Sequence, residues 1–482
     1  MPSNKSRPSV RKGLSAALPS AFALLLAAGL ILPGAALAGD WVTFVDETST
    51  RIVSDPEVGI NDIREKDITS GDVDKDGDTD LIVVRKIPFT NPGGFRNVLF
   101  MNENGVMTDR TATLAPDFLD ATDDRDVELA DVDGDTWLDI VTSGTFGEQP
   151  RILMNQGESA GVWQGFVYEP LRLPFLESPT GNGPKFCGLG VGDVTGNGRP
   201  DLYFTDYQND MEDRLLINNG AGFFTDETTR RLTPMMVDAT FGTDADIADM
   251  NGDGFLDIIK NNSSGTGELA ARRASGPEGD APEGSGPAPA VSILYNDGTG
   301  HFVFMDTVYT LAPYMAEPAD FTQDSRLDLF VVDDGQDRYL VNTGNDGQGH
   351  ADFTPTPVSN SPNTSFFGGN VKFADLDGDT ILDVLVADVD TDIPGCSRQL
   401  TLLRGVGTPP AITYSDPLGG ASRPWTLQGT FDVEALHINN DGALDLWIGT
   451  CTGTRVFMGY TPEIFADGFE SGDTSAWSST VP

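Results

Sequence analysis

The chain is poor in cysteine, histidine and basic residues. Its 482 residues include three cysteines and three histidines, and 30 Lys and Arg stand against 74 Asp and Glu. Three cysteines are too few for a disulfide-built scaffold or a cysteine zinc cluster. The net charge of −44 opposes binding to nucleic acid or to an anionic membrane surface. Carboxylates in such excess repel one another in a compact fold, and bound cations are their natural counter-charge.

Long apolar runs are also lacking after residue 38, so we expect no membrane insertion. Residues 1–38 have the features of a signal peptide: four basic residues, the apolar stretch Leu14–Leu32 and the small-x-small site Ala36-Leu37-Ala38. Cleavage after Ala38 predicts a secreted, periplasmic or cell-surface protein, whereas an uncleaved anchor is the alternative. In that oxidising compartment we expect a Cys396–Cys451 bridge and a buried thiol at Cys187.

A nine-residue acidic pattern recurs seven times in the remaining chain. It has the form D-x-D-x-D-G-x-x-D, and an apolar run follows it. The copies start at Asp72, Asp131, Asp193, Asp249, Asp320, Asp375 and His437. The steps of 59, 62, 56, 71, 55 and 62 residues suit one four-stranded propeller blade per repeat.

The fold class that follows is all-β. We expect a seven-bladed β-propeller over residues 39–460, with a calcium loop between the first and second strands of each blade. Residues 262–290, rich in Gly, Pro and Glu, are expected to be a disordered insert in the fourth repeat. Residues 461–482 form a C-terminal tail, either a sorting signal or a frayed end.

The spacing of the pattern suits calcium, which takes six to eight oxygen ligands at about 2.3–2.6 Å. Side chains at positions 1, 3, 5 and 9 and the carbonyl of position 7 can surround one ion, and glycine at position 6 permits the sharp turn. An EF-hand would need Glu at position 12. That position holds Val83, Thr142, Phe204, Lys260, Val331, Val386 and Ile448. Short β-branched runs follow the loops, so strands flank them rather than helices.

Four loops carry the charge expected of strong calcium sites. Their predicted ligands are Asp72, Asp74, Asp76, Asp78 and Asp80; Asp131, Asp133, Asp135 and Asp139; Asp249, Asn251, Asp253 and Asp257; and Asp375, Asp377, Asp379 and Asp383. The other three loops carry fewer carboxylates and are expected to bind weakly or to fold only as turns. Their predicted ligands are Asp193, Thr195, Asn197 and Asp201; Asp320, Asp324 and Asp328; and Asn439, Asp441 and Asp445.

A second pattern, apolar-Asn-x-Gly followed by aromatic-Thr-Asp-x-Thr, marks the third and fourth strands of most repeats. The last repeat ends after its third strand, near Gly459. The missing fourth strand stands at the other end of the mature chain, in Val42–Thr48. We therefore expect the N-terminal strand to complete the seventh blade and close the ring.

Together these motifs resemble the FG-GAP/VCBS repeat family, the calcium-bearing propeller repeats also found in integrin α-chain heads. The resemblance covers about residues 41–460. Members of that family include adhesion heads, lectins, and a few polysaccharide lyases and other enzymes. The resemblance therefore implies a propeller and calcium, and does not imply an activity.

No sequence motif for a nucleophile elbow, a zinc helix or a phosphate loop occurs. We expect surface roles for His301 and His350, and a degenerate ligand position for His437. The favoured function is a noncatalytic, monomeric binding or adhesion module for an unidentified glycan or protein. The alternative is a secreted polysaccharide lyase or hydrolase, because a carboxylate pair remains open.

Four aspartates each precede a loop by five residues and are expected to ring the channel mouth: Asp67, Asp126, Asp244 and Asp432. They suggest either a site for a cation or cationic ligand, or simply a hydrated acidic channel. The face opposite the calcium loops, which collects the irregular connections, is the expected binding face.

Overall fold

The computed structural model describes residues 36–38, 41–88, 92–177, 183–207, 212–237, 242–262, 289–311, 313–333, 336–358, 368–388, 400–415 and 427–460. Seven blade sheets surround a channel; the four main strands of blades 1–6 lie in chain order, and the outermost strand of blade 7 comes from the N-terminal part of the chain. Each first strand packs against the first strand of the next sheet, and the last sheet packs against the first. The all-β, seven-bladed β-propeller predicted from the repeats is confirmed.

The strands of the seven blades, from channel to rim, have regular bounds. The innermost strands are Glu65–Gly71, Asp124–Ala130, Phe186–Gly192, Gly242–Ala248, Pro313–Ala319, Gly368–Ala374 and Thr430–Leu436. The second strands are Asp80–Lys86, Asp139–Gly144, Asp201–Asp206, Asp257–Asn262, Asp328–Asp333, Asp383–Asp388 and Asp445–Thr450. The third strands are Val98–Asn102, Arg151–Asn155, Arg214–Asn218, Ala290–Asn296, Arg338–Asn345, Thr401–Thr408 and Gly453–Tyr460. The outermost strands are Met107–Asp109, Phe166–Tyr168, Phe224–Asp226, Phe302–Tyr309, Ala351–Pro357, Ala411–Ser415 and Thr43–Asp46.

A few elements lie outside the four-stranded pattern. Ile52–Val53 adds a short parallel strand to the rim of blade 1, and Glu158–Ser159 pairs with Val162–Trp163 in a small hairpin of blade 2. The α-helices of the described residues are single turns at Thr48–Arg51, Thr111–Leu114 and Thr228–Arg231, and 3-10 turns occur at Pro56–Val58 and Pro116–Leu119. No helix in the described ranges is long and apolar enough to cross a bilayer.

The apolar core is divided among the seams between blades. Seven clusters of buried side chains occur among the described residues, one at each seam. At the closing seam, Phe100 of blade 1 lies 4.9 Å from Trp447 of blade 7, measured between ring centroids. Since both faces of each sheet are covered, the second strands are buried along their whole length rather than at alternate residues.

Blade 7 is built from both ends of the chain, as the sequence predicts. Thr43–Asp46 pairs antiparallel with Gly453–Tyr460, with Phe44 opposite Gly459. Two further bonds extend the pairing: Glu47 N donates to the carbonyl of Val456, and Val456 N donates to Thr48 Oγ1. Ala36–Ala38, inside the predicted signal peptide, adds a backbone strand outside Thr43–Asp46. Cleavage after Ala38 would leave Thr43–Asp46 as the outermost strand.

Replacing Phe44 by Ala tests this closure. Phe44 is 1 % exposed and packs against Leu446 and Phe457. A buried Phe→Ala change costs about 3–5 kcal/mol of unfolding free energy. We expect that loss in urea unfolding followed by tryptophan fluorescence. Val53→Ala, at a nearby side chain that is 54 % exposed, is the control and should change stability by less than about 0.5 kcal/mol. Equal midpoints for both variants would contradict the closure.

Candidate metal centres

The seven acidic loops share one backbone conformation. Positions 4 and 6 both have positive φ, in the first loop 61° at Lys75 and 95° at Gly77. Glycine is frequent at both positions, with four of the seven loops having it at each. Non-glycine residues also adopt these values, among them Thr136 and Thr380 at position 6. The coil is therefore fixed by the loop's hydrogen bonds and not by glycine alone.

The carboxylates of each loop bond the backbone of the same loop. In the six loops that begin with Asp, that carboxylate accepts a hydrogen bond from the N–H of position 6, for example Thr136 N to Asp131 Oδ2 at 3.0 Å. In all seven loops, position 5 accepts from the N–H of position 7. These bonds turn the side chains inward around one point. Loops with few carboxylates coil in the same way, so the turn does not depend on full charge.

Three loops gather carboxylate oxygens within 4.8 Å of one another. The groups are Asp72, Asp74 and Asp80; Asp131, Asp133 and Asp139; and Asp375, Asp377 and Asp383. These belong to three of the four loops expected to bind strongly. The fourth, at Asp249, has Asn251 at position 3, whose Nδ2 donates to Asp253 Oδ2. Oxygen-only ligand sets of this kind suit a hard cation such as calcium. Whether calcium occupies them stays a prediction.

The aspartate at position 9 has a structural role that the sequence does not reveal. Asp139 is 0 % exposed, and its two oxygens accept from Val132 N at 3.0 Å and Asn155 N at 2.8 Å. Every loop repeats this arrangement with its own third strand. The carboxylate therefore fastens the loop to the third strand, whether or not it also binds an ion.

An asparagine at the end of the third strand extends this link to the preceding blade. Asn155 Nδ2 donates to the carbonyl of Val73 in the first loop at 2.8 Å, and Asn218 Nδ2 donates to Val132 in the second loop. Blades 1, 4 and 5 repeat the bond through Asn102, Asn296 and Asn342. The asparagine of the apolar-Asn motif thus joins neighbouring blades.

Burial leaves several of these carboxylates poorly compensated. Burial raises the pKa of Asp80 to about 8 and the pKa of Asp139, Asp257 and Asp383 to about 7. Nearby aspartates also raise these pKa values, whereas backbone hydrogen bonds to the carboxylates lower them. Arginines form ion pairs with two of the loops: Arg404 lies 2.6 Å from Asp377, and Arg172 lies 3.6 Å from Asp133. These guanidinium groups supply part of the positive charge that the loops require.

The central channel holds a second set of carboxylates. The innermost strands carry acidic residues five and three positions before the loops, and they line a solvent-open cavity of about 80 Å³ in the channel. The predicted set five positions before the loops is present, and most of it joins adjacent blades. Asp126 Oδ2 accepts from Leu189 N, Asp244 Oδ2 from Ala316 N, and Asp432 Oδ2 from Ile68 N. Asp67 Oδ1 accepts from Asn370 Nδ2.

The carboxylates three positions before the loops were not predicted from the sequence. They are Glu128, Asp246, Glu317 and Glu434. Two-residue alternation along the innermost strands would have indicated them. Burial first, and nearby carboxylates second, raise the pKa of Glu317 to about 8; burial likewise raises that of Glu128 to about 7. Bulges between the first and second strands of blades 2–7 lie at the start of the first strands, before these carboxylates.

None of the three histidines lines the channel cavity, and each has its own partner. His301 Nδ1 is 3.0 Å from Thr299 Oγ1, the His350 ring stacks on Phe304 at 3.7 Å, and His437 Nδ1 is 2.7 Å from the carbonyl of Ala443. Cys187, by contrast, lines the cavity, is buried and free, and burial raises its pKa to about 11. Cys451 is disulfide-bonded; Cys396, its predicted partner, lies outside the described residues.

The expected binding face falls partly outside the described residues. Of its connections, 89–91, 208–211, 263–288 and 391–399 are not described, and neither is the tail at 461–482. The predicted insert at 262–290 lies between the second and third strands of blade 4.

Comparison with known proteins gives three results. A family model described as an FG-GAP-like repeat matches residues 66–142, 193–259 and 320–386. No curated protein sequence matches the chain significantly. Among solved structures, one described as an Agrocybe aegerita lectin that recognises non-reducing terminal N-acetylglucosamine shares 15 % identity, covers 86 % of this chain and 94 % of its own, and has a TM-score of 0.49.

The role of position 9 can be tested without metal. Asp139→Ala would leave two buried backbone N–H groups unpaired, at about 1–3 kcal/mol each. Asp135→Ala, at an exposed position of the same loop, is the matched control. With chelator present, urea unfolding should show a clear loss for Asp139→Ala and a small one for Asp135→Ala. The reverse order would contradict the structural role of Asp139.

Proposed function

Because the chain belongs to the FG-GAP repeat family, we propose that it is a secreted, calcium-binding β-propeller that acts as a noncatalytic binding or adhesion module for a glycan or a protein. Calcium binding is proposed because three carboxylates converge in each of three loops. Oxygens within 4.8 Å of one another can all reach one ion at calcium's bond length of about 2.4 Å.

Calcium would act here as a structural ion. The loops touch their own third strands through position 9 and the next blade through the third-strand asparagine. An ion that holds one loop would therefore stabilise a blade and a seam together. A rigid ring with variable connections at its opposite face is a scaffold suited to recognition.

The proposal that the module is noncatalytic rests on the placement of the reactive side chains. Among the described residues, the three histidines are engaged separately near the loops and the rim, and the free thiol of Cys187 is buried with a raised pKa. None of these groups forms the nucleophile–base pair that covalent catalysis requires.

One observation favours the alternative, a secreted polysaccharide-active enzyme. The channel cavity is lined by carboxylates, and burial raises the pKa of Glu317 to about 8 and that of Asp244 to about 6. Carboxyl groups with separated pKa values are the usual acid and base of glycoside hydrolysis.

Thermal unfolding with and without calcium tests the metal. Each occupied site should stabilise the fold by about 2.7 kcal/mol when free calcium is one hundred times Kd. We expect a large rise in melting temperature with calcium and its loss with chelator. Asp74→Ala should reduce the rise more than Thr322→Ala, which alters a loop expected to bind weakly. Identical melting curves with calcium and chelator would rule out calcium in the loops.

Product assays on a panel of acidic and neutral polysaccharides separate the two functions. A binding module should retain a glycan or protein ligand on an array and release no reducing ends and no unsaturated products. New reducing ends that disappear in Glu317→Gln, with the variant still folded, would replace the binding function with hydrolysis.

A further inference from the structure

The channel carboxylates are not evenly matched by positive charge. Lys372 and Arg125 are the basic side chains that line the cavity besides Lys66. Lys372 Nζ lies 3.9 Å from Glu434, and Arg125 pairs with Glu65 at 2.9 Å. Lys66 Nζ donates to backbone carbonyls at the mouth. Among the described residues, no ion pair joins a cation to the carboxylates that blades 4 and 5 present on their side of the cavity; Lys372, which pairs with Glu434, acts on Asp244 and Glu317 without pairing with either.

Three carboxylates meet on that side. Asp244 and Asp246 belong to the innermost strand of blade 4 and Glu317 to that of blade 5, and their ligand oxygens lie within 4.8 Å of one another. Three oxygens this close together can bind one divalent cation, and an all-oxygen ligand set suits a hard ion such as Ca²⁺ or Mg²⁺.

One oxygen of this group has no other partner. Asp246 Oδ2 is buried and accepts no hydrogen bond from the described residues. A buried carboxylate oxygen without a donor costs several kcal/mol unless a cation compensates it. In the loops, by contrast, the buried carboxylate at position 9 has two backbone donors. Asp246 therefore lines the channel cavity, and its Oδ2 is available to bind a cation.

The group is held in place by the seam between blades 4 and 5. Asp244 Oδ2 accepts from Ala316 N at 3.0 Å, one residue before Glu317. Behind it, Asn261 Nδ2 donates to Thr243 Oγ1 at 2.6 Å, and Thr243 Oγ1 donates to the carbonyl of Tyr314. Both strands are bulged here. Ligands supported in this way are preorganised and need little rearrangement to bind.

We propose that Asp244, Asp246 and Glu317 form a divalent-cation site in the central channel, distinct from the seven loops. The ion would join blades 4 and 5 across the channel wall. Because the cavity is open to solvent, the remaining coordination positions are available to water or to an anionic group of a ligand.

Counting bound ions by native mass spectrometry tests the site. The purified chain in calcium should carry one ion more than the double variant Asp246→Asn, Glu317→Gln. Glu434→Gln is the matched control, since it removes a channel carboxylate that already pairs with Lys372 and Ser70; it should lose no ion. An equal count in the wild type and the double variant would overturn the channel site while the loops still bind. No bound ion in the wild type would overturn the loop sites as well.

A crystal structure of the wild-type chain grown with calcium decides the matter if the double variant does not fold. An anomalous peak at about 2.3–2.6 Å from oxygens of all three carboxylates is the expected result. Peaks confined to the loops would overturn the proposal.

Discussion

The structure depends on one repeated interaction, a buried aspartate that holds a loop to a strand. The carboxylate at position 9 accepts two backbone N–H groups, one from its loop and one from the end of the third strand. In five blades the same strand end carries an asparagine bonded to the previous loop. Loop, blade and seam are thus parts of one hydrogen-bonded unit that repeats around the ring.

This arrangement explains how the fold tolerates its acidity. Many carboxylates are engaged by backbone N–H groups, which supply partial positive charge without basic side chains. Those at the loop centres and in the channel have raised pKa values because burial and neighbouring carboxylates disfavour their charged forms. Bound cations would compensate the negative charge of the carboxylates at both places.

The number of blades, the strand order and the closure by Thr43–Asp46 could all be predicted from the sequence, because the loop motif recurs in phase and fixes the repeat. The candidate loop ligands follow from the same spacing. The joint role of Asp139 and Asn155 could not be predicted, because it links residues 16 positions apart through packing of a third strand. Asp246 could have been predicted, because it lies two residues after Asp244 on the same strand. Its grouping with Glu317 could not, because it depends on the approach of two blades.

Hydrogen exchange measured in calcium and in chelator tests the central claim, that each loop controls its blade and the seam to the next. We predict that chelation lowers amide protection together in the first loop, at the third-strand end of blade 1 near Asn102 and at that of blade 2 near Asn155. A loss of protection confined to residues 72–80, with both strand ends unchanged, would contradict the coupling.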